Sequence, residues 1–302
     1  MDTGSRCVDD LDGGLDLRAT LESGQSYLWR RDDGCTYEQG ASADGWYHTV
    51  LPASATRTNE VEVLRVRQVD GRLEWEASTP YADERVAELL RLDDDLESIV
   101  AATPGDELVD AAYDAHQGLR LVRDPPFSCL VSFICSAQMH VSRIYDMQVA
   151  LADAYGERVH FDGREYAAFP SPERLAGATE RELRSLSLGY RAPYVQRTAE
   201  MVATGEARPE EARSLDYEAA RECLTRFVGV GEKVADCVLL FSLGYLEAVP
   251  LDTWIRRAIA EHYPHCDRGS YAATSRAIRE QYGGEYAGYA QTYVFHHLRT
   301  GE

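Results

Sequence analysis

Two helical segments joined by a glycine-rich hairpin constrain the fold of this chain more than any other feature. Residues 217–227 and 232–243 carry apolar side chains at helical spacing, whereas the stretch between them, which includes Gly229, Val230 and Gly231, is too rich in glycine to continue a helix. Such a hairpin aims its backbone N–H groups and the N-terminus of the second helix in one direction, and both favour a phosphate oxygen. The pattern therefore predicts a helix-hairpin-helix unit that contacts a phosphate backbone through these three residues.

The second helix of this unit carries the only lysine of the chain. Lys and Arg together number 31, and Lys233 is the single lysine among them. Arginine stays protonated and cannot act as a nucleophile, whereas an amine can lose its proton. The positive end of the helix dipole favours the neutral amine, which is the form that attacks a sugar carbon. An ordinary surface lysine is the alternative, and the exchange of lysine for arginine elsewhere argues against it.

A carboxylate lies where the next helix begins. Asp252 follows the apolar run 248–251 and precedes the helical residues 253–256, which is the position of an N-cap. A capping carboxylate is held rigidly and is expected to stay ionised. It could then assist the amine and stabilise an oxocarbenium-like sugar, as carboxylates do in glycoside hydrolysis. Capping alone is the simpler role, and the two roles are compatible.

Two pairs of residues could form a pocket for a planar base. Cys237 follows Lys233 by four residues on one helix face, and Gln291 and Phe295 have the same spacing near the end of the chain. A thiol, an amide edge and an aromatic ring supply the stacking surfaces and hydrogen bonds that a flipped base requires. Ordinary core packing is the more common reason for each pair taken alone.

The chain is strongly acidic, with 51 Asp and Glu residues, 31 Lys and Arg residues and a formal net charge of −20. In ordinary salt this balance argues against binding to nucleic acid, because DNA is a polyanion. Excess acid with almost no lysine fits adaptation to a very salty cytoplasm. At about 1 M salt the Debye length is about 3 Å, so distant carboxylates would hardly repel a bound phosphate. A merely acidic protein is the alternative.

The seven cysteines indicate neither a metal site nor a disulfide framework, since no CxxC pair occurs. His262, His265 and Cys266 are close in sequence, but a polar helix end explains them better than a metal site. The first ten residues are polar and acidic, unlike a signal peptide, and no apolar stretch approaches the roughly 18 residues that span a membrane. We therefore expect a cytoplasmic protein without a metal or a membrane span.

The first third of the chain predicts antiparallel strands, and the remainder predicts helices, so the fold class is α+β. Residues 61–69 and 72–78 read as two strands joined by Asp70-Gly71, a strong hairpin signal. Further strands are predicted at 15–21, 26–30 and 46–51. Helical spacing predicts helices within 82–91, 107–117 and 127–153, with further helix starts at Ser171-Pro172 and at the capping box Thr179–Glu182.

Seven segments, spread over nearly the whole chain, resemble the 8-oxoguanine DNA glycosylase/AP lyase family of the helix-hairpin-helix (HhH-GPD) superfamily. They are SGQSYLWR (23–30), DPPFSCLVSFICS (124–136), FPSPERLAG (169–177), LGYRAPYV (188–195), FVGVGEKVADC (227–237), AVPLDTW (248–254) and YAGYAQTYVF (286–295). The resemblance implies a TBP-like antiparallel sheet domain at 1–118 and an all-α glycosylase domain at 119–302, with the hairpin at about 222–243.

The same resemblance implies the chemistry and the partner. Lys233 would form a Schiff base with C1′ after the damaged base leaves, β-elimination would nick the strand, and Asp252 would be the essential carboxylate. The partner would be double-stranded DNA containing oxidised guanine, bound by a nucleoid-associated monomer. No iron–sulfur cluster is expected, because only Cys266 follows the aspartate, and no cofactor is expected apart from a monovalent cation at the hairpin carbonyls. Trp254 stands at a histidine position near the phosphate.

Roles in base recognition follow from the resemblance as well. The carbonyl of Gly24 would accept the N7 hydrogen that 8-oxoguanine has and guanine lacks. Cys237 and Phe295 would sandwich the base, and Gln291 would read its pairing edge.

On the opposite strand, Tyr190 would wedge into the base stack, and Arg143 and Arg191 would contact the unpaired base, normally cytosine. Both arginines could instead face phosphate or solvent. Gln138 stands at an asparagine position of the eukaryotic members, and the neighbouring Met139 could fill the gap in the stack.

Two other functions are compatible with these residues. A monofunctional glycosylase for another damaged or mismatched base would use Asp252 to activate water and would not need Lys233. A non-catalytic module that binds damaged DNA would need neither residue, so the presence of both argues against it.

Overall fold

The computed structural model describes residues 1–38 and 40–301. A five-stranded antiparallel sheet has the order β1-β5-β4-β3-β2. Its strands are β1 Asp2–Cys7, β2 Arg30–Arg31, β3 Tyr47–Leu51, β4 Glu62–Val69 and β5 Arg72–Ala77. A separate two-stranded hairpin consists of β6 Arg158–Phe161 and β7 Arg164–Ala167. The predicted α+β class, with an antiparallel sheet ahead of a helical domain, is confirmed.

Helices fill the space between and after the strands. They are α1 Leu17–Glu22, α2 Ala82–Leu89, α3 Leu96–Ala102, α4 Glu107–Ala115, α5 Pro126–Cys135, α6 Val141–Tyr155, α7 Pro172–Ala176, α8 Glu180–Leu183, α9 Ala192–Ala203, α10 Tyr217–Leu224, α11 Glu232–Val238, α12 Thr253–His262, α13 Tyr271–Gln281 and α14 Ala287–Thr300. Within the described residues, no helix is long and apolar enough to cross a membrane.

Local sequence signals account for several of these elements. Asp70 and Gly71 adopt φ values of +49° and +71°, the left-handed geometry that a two-residue hairpin requires, and they join β4 to β5 as predicted. Ser171 caps α7, and Thr179 forms the predicted capping box with Glu182 at the start of α8.

Two of the predicted strands are wrong, and one predicted helical stretch is interrupted. The alternating leucines of 15–21 form α1 instead, because Asp16 caps it by accepting a hydrogen bond from the Ala19 N–H at 2.8 Å. Of 26–30 only the last residue is in a strand. Helical stretch 127–153 is broken between α5 and α6, where Gln138 has a φ of +54°. The strand at 46–51 is confirmed as β3.

The last helix returns to the first half of the chain, so one apolar core runs through both halves. The rings of Tyr113 on α4 and Tyr293 on α14 meet edge to face at 4.6 Å, and the Tyr293 hydroxyl donates to the Leu119 carbonyl at 2.7 Å. Further along α14, Arg299 donates to the Glu22 carbonyl at 2.8 Å. These contacts hold the end of α14 beside the turn that follows α1. The boundary at 118/119 stays a prediction.

A buried carboxylate precedes α5. Asp124 is 4% exposed, and burial raises its pKa to about 7, although a hydrogen bond with Ser26 opposes the shift. Because the folded state prefers the protonated acid, this residue contributes stability at low pH that is lost as the pH rises towards 7.

Replacing Asp124 by asparagine should therefore stabilise the protein relative to wild type at pH 8 but not at pH 4. A pKa shift from 3.8 to about 7 corresponds to roughly 4 kcal/mol. Urea unfolding of both proteins across this range measures the difference. The exposed Asp93→Asn removes the same charge and should give a curve parallel to wild type. If the free energy of unfolding of Asp124→Asn differed from that of wild type by the same amount at every pH, the prediction would be contradicted.

Candidate active site

The hairpin presents Lys233 to the end of α5. Helix α11 begins after Gly231, which is extended at φ −94° and ψ 178° and has no side chain to cap it, so Lys233 lies in the first turn. Its Nζ donates to the Ser136 Oγ at 3.0 Å and lies 5.4 Å from the centre of the Phe133 ring. The lysine is therefore half-buried against another helix and not a free surface residue.

Asp252 caps α12 as predicted, accepting a hydrogen bond from the Ile255 N–H at 2.8 Å. Capping is not the only influence on its ionisation. Burial raises the pKa of Asp252, whereas the positive charge of Lys233 and the Ile255 N–H act in the opposite direction. The carboxyl and the amine are close enough to interact electrostatically, although they belong to different elements.

Cys237 completes this group one turn after Lys233. The thiol is buried, and burial raises its pKa to about 12, so it is protonated at neutral pH. The positive charge of Lys233 opposes this shift. The structure thus brings Lys233, Cys237 and Asp252 together, with Ser136 as a further neighbour of the amine.

A second group of predicted site residues, which includes Gly24 and Phe295, lies at the turn after α1. Gly24 has a φ of +95°, and a Cβ there would lie 2.9 Å from Val141 Cγ1 and 3.3 Å from Phe295 Cε1. Only glycine fits this position without strain. The side chain of Gln25 fixes the turn, because it donates to the Arg120 carbonyl at 2.7 Å and accepts from the Val122 N–H at 2.8 Å. The absence of a Cβ at Gly24 thus lets the Phe295 ring lie next to this turn.

Gln291 lies one turn before Phe295 on α14, as the spacing predicts. Its side chain is buried, and its Oε1 accepts from the Thr292 hydroxyl at 3.3 Å.

The residues predicted to contact the opposite strand lie around the α5–α6 turn and the start of α9. Tyr190 is exposed, whereas Arg191 is buried beneath it, with its guanidinium 4.3 Å from the Tyr190 ring centre. The same guanidinium donates to the Ala137 carbonyl in the turn. Gln138 and Arg143 are exposed, and Met139, next to Gln138, is half-buried.

The hairpin packs against a tyrosine that the sequence did not single out. Gly229 and Gly231 are exposed, the Val230 side chain is buried, and a Cβ on Gly229 would lie 2.8 Å from the Tyr194 ring. Tyr194 also meets Tyr190 edge to face at 6.3 Å. Together with the exposed Val228, these tyrosines form an apolar ridge beside the hairpin. The sequence signal that could have identified Tyr194 is its spacing, since it follows Tyr190 by four residues.

Trp254 lies in the first turn of α12, half-buried, next but one to Asp252. In the described part of the chain, no three His, Cys, Asp or Glu residues converge on a position that could hold a metal ion. His262, His265 and Cys266 are not gathered into such a group.

An antiparallel sheet followed by helices, with an amine and a carboxyl at a helix-hairpin-helix unit, is the arrangement of a class of base excision repair enzymes. The family model described as HhH-GPD superfamily base excision DNA repair protein matches residues 131–282, and that of the 8-oxoguanine DNA glycosylase N-terminal domain matches residues 11–130. The chain belongs to the 8-oxoguanine DNA glycosylase/lyase family of the HhH-GPD superfamily.

Relatives agree over most of the chain. The probable N-glycosylase/DNA lyase of Methanothermobacter thermautotrophicus is 32% identical, covering 95% of this chain and 94% of its own length. The N-glycosylase/DNA lyase of Saccharomyces cerevisiae is 30% identical over 82% of this chain and 68% of its own length. A solved structure is also similar: the Clostridium acetobutylicum 8-oxoguanine glycosylase/lyase in complex with DNA containing cytosine opposite 8-oxoguanine. Its TM-score is 0.81 at 27% identity, and the match covers 95% of this chain and 92% of that protein. The chain is accordingly a base excision repair enzyme of the N-glycosylase/DNA lyase class.

Proposed function

We propose that this enzyme excises 8-oxoguanine from duplex DNA by Schiff-base chemistry at Lys233 and then nicks the strand. The observation that carries the proposal is the only lysine of the chain, held beside Cys237 and Asp252 at the hairpin. The neutral amine attacks C1′ as the bond to the base breaks and the amine loses one proton. The C1′–O4′ bond then breaks as O4′ takes up a proton, which opens the sugar ring and leaves a protonated Schiff base. Removal of a C2′ proton then expels the 3′ phosphate.

Asp252 has a defined part in this sequence. Its ionised carboxylate stabilises the positive charge that develops on the sugar as the base leaves. The raised pKa also makes it able to hold a proton taken from the amine. Both steps require the two groups to be held at a fixed separation.

Recognition of the base rests on the second group. The Gly24 carbonyl would accept the N7 hydrogen of 8-oxoguanine, Phe295 and Cys237 would stack on the two faces of the base, and Gln291 would hydrogen-bond to its pairing edge. The proximity of Phe295 to the Gly24 turn supports this assignment.

The DNA strands would lie across the exposed ridge. Gly229, Val230 and Gly231 would bind phosphate through backbone N–H groups, since Gly231 supplies no side-chain cap to compete for those of α11. Trp254 would contact the next phosphate.

Tyr190 would wedge into the base stack. Gln138, Met139 and Arg143 would approach the unpaired base from the α5–α6 turn. Arg191, which bonds to that turn in the free protein, would have to release the Ala137 carbonyl to reach the base.

A monovalent cation at the hairpin and a monomeric state stay predictions from the resemblance. The Phe227 carbonyl accepts from the Val230 N–H at 3.1 Å, and the Val228 carbonyl accepts from the Thr198 hydroxyl at 3.1 Å. Each oxygen keeps a second lone pair that a cation could use.

Trapping with borohydride tests the proposed function. The protein is incubated with an 8-oxoguanine:cytosine duplex at high salt, borohydride is added, and covalent protein–DNA adducts are resolved by electrophoresis. An adduct on this duplex, and none on the undamaged duplex, is expected. Base release without an adduct would instead support a monofunctional glycosylase in which Asp252 activates water. A duplex that is bound but neither cut nor trapped would support a binding module.

Adaptation to high salt makes a separate prediction. Arginines near the hairpin are engaged by carboxylates: Arg226 pairs with Glu211 at 3.2 Å, and Arg197 pairs with Glu206 at 2.7 Å. Arginines paired in this way are less available to displace counterions from DNA. We expect the logarithm of the binding constant to fall with the logarithm of salt with a slope shallower than about −3, since each neutralised phosphate contributes about −0.9. Activity that collapses between 0.1 M and 2 M salt would contradict the adaptation.

A further inference from the structure

The amine and the carboxyl of the active site belong to different elements, and a buried hydrogen-bond chain joins those elements. Lys233 lies on α11, whereas Asp252 begins α12. Asp236, three residues after Lys233 on α11, is completely buried and is not part of the chemistry proposed above. Its position so close to the nucleophile makes its partners informative.

Each oxygen of Asp236 accepts one tyrosine hydroxyl. Tyr217 donates to Oδ1 at 2.7 Å, and Tyr271 donates to Oδ2 at 2.7 Å. The nearest cationic group, the Arg221 guanidinium, lies 3.9 Å from Oδ2. A buried carboxylate with two short hydroxyl bonds is held rigidly, so its partners are held in place with it.

The two tyrosine hydroxyls differ in their other contacts. The Tyr271 hydroxyl also accepts a hydrogen bond from the Leu251 N–H at 3.1 Å, and Leu251 is covalently joined to Asp252. The Leu251 carbonyl accepts from Arg256 Nε at 3.2 Å, which fixes the next peptide, the one that joins Leu251 to Asp252. Tyr217 lies on α10, and the second contact of its hydroxyl is with Ser275 Oγ on α13 at 3.5 Å, not with the peptides next to Asp252. A continuous path therefore runs from α11 through Asp236 and Tyr271 to the residue before Asp252.

We propose that Asp236 and Tyr271 are positioning residues that set the separation of the Lys233 amine and the Asp252 carboxyl. This inference rests on the proposed function, because it assigns no new chemistry and acts through those two groups. Misplacement of reacting groups by about 1 Å can lower a rate about 10²-fold. Loss of the Tyr271 hydroxyl frees the Leu251 N–H and lets the Asp252 loop shift, whereas loss of the Tyr217 hydroxyl does not.

The matched variants Tyr271→Phe and Tyr217→Phe test this. Each removes one hydroxyl bond of the same length to the same carboxylate, and Tyr271→Phe also leaves the Leu251 N–H without its partner, so its melting temperature should fall at least as far as that of Tyr217→Phe. Single-turnover base release is measured with enzyme in excess, and affinity is measured on a duplex with a non-cleavable abasic analogue. We expect Tyr271→Phe to release base at least tenfold more slowly than Tyr217→Phe, with affinities of the two variants within threefold. Asp236→Asn, which keeps the side-chain shape, should also be slow.

Equal rates for the two tyrosine variants would overturn the proposal, and so would a Tyr271→Phe rate equal to that of wild type. If Tyr271→Phe does not fold, the comparison is made between Asp236→Asn and Tyr217→Phe with the same expected ratio. The proposed function fails separately, when wild-type protein releases base without forming a borohydride adduct. In that case the ratio of the base-release rates of Tyr271→Phe and Tyr217→Phe still tests the positioning role, because Asp252 would then have to be positioned to activate water.

Discussion

Lys233→Gln is expected to give no borohydride adduct and no strand nicking, and to release 8-oxoguanine at least about 10³-fold more slowly than wild type. The amide of glutamine can still donate a hydrogen bond to Ser136, as the amine does at 3.0 Å, so the hairpin should keep its contact with α5. What the variant lacks is a nitrogen lone pair able to attack C1′. Electrophoresis of the reduced reaction and a single-turnover assay of base release measure the two effects.

Lys233→Arg is the matched control for charge. Arginine keeps the positive charge opposite Asp252 but cannot become a nucleophile. It should therefore bind the abasic analogue as wild type does and remain unable to form an adduct. A second control, Ser136→Ala, removes the resting partner of the amine and leaves the amine intact, so its adduct should persist. Base release retained by both Lys233 variants would assign the chemistry to Asp252 and water.

The sequence predicted the parts of this site that depend on local signals. The hairpin, the position of Lys233 in the first turn of α11 and the N-cap at Asp252 each follow from a few neighbouring residues. The β4–β5 hairpin was predictable for the same reason, because Asp70 and Gly71 both favour the geometry of its turn.

Other parts depend on residues far apart in the chain, and no local pattern contains them. Ser136 becomes the partner of Lys233 only when α5 packs against the hairpin. Burial raises the pKa of Asp252, and burial is set by the whole fold, so the cap alone could not give the direction of this shift. The error at α1 has a different origin. Its leucines alternate as in a strand, whereas the N-cap at Asp16 favours a helix, and in the structure the helix forms.

Asp252→Asn is expected to lower the rate of base release about 10²–10³-fold while leaving the fold unchanged. Asparagine caps helices about as well as aspartate, so the bond to the Ile255 N–H should persist, and removal of a buried carboxylate with a raised pKa should not destabilise the fold at neutral pH. The variant thus removes the charge that stabilises the sugar cation and the group that can take a proton from the amine.

The pH dependence separates this role from capping. Because burial raises the pKa of Asp252, wild-type activity should decline on acidification at a higher pH than an ordinary carboxyl would give, as the carboxylate takes up a proton. Asp252→Asn should lack that acidic limb. Asp216→Asn is the matched control, since Asp216 caps α10 by accepting from the Ala219 N–H at 3.0 Å and is not part of the site. If both variants lose the same activity, capping explains the effect. If only Asp252→Asn is slow and its pH profile is flat on the acid side, the carboxylate takes part in the reaction.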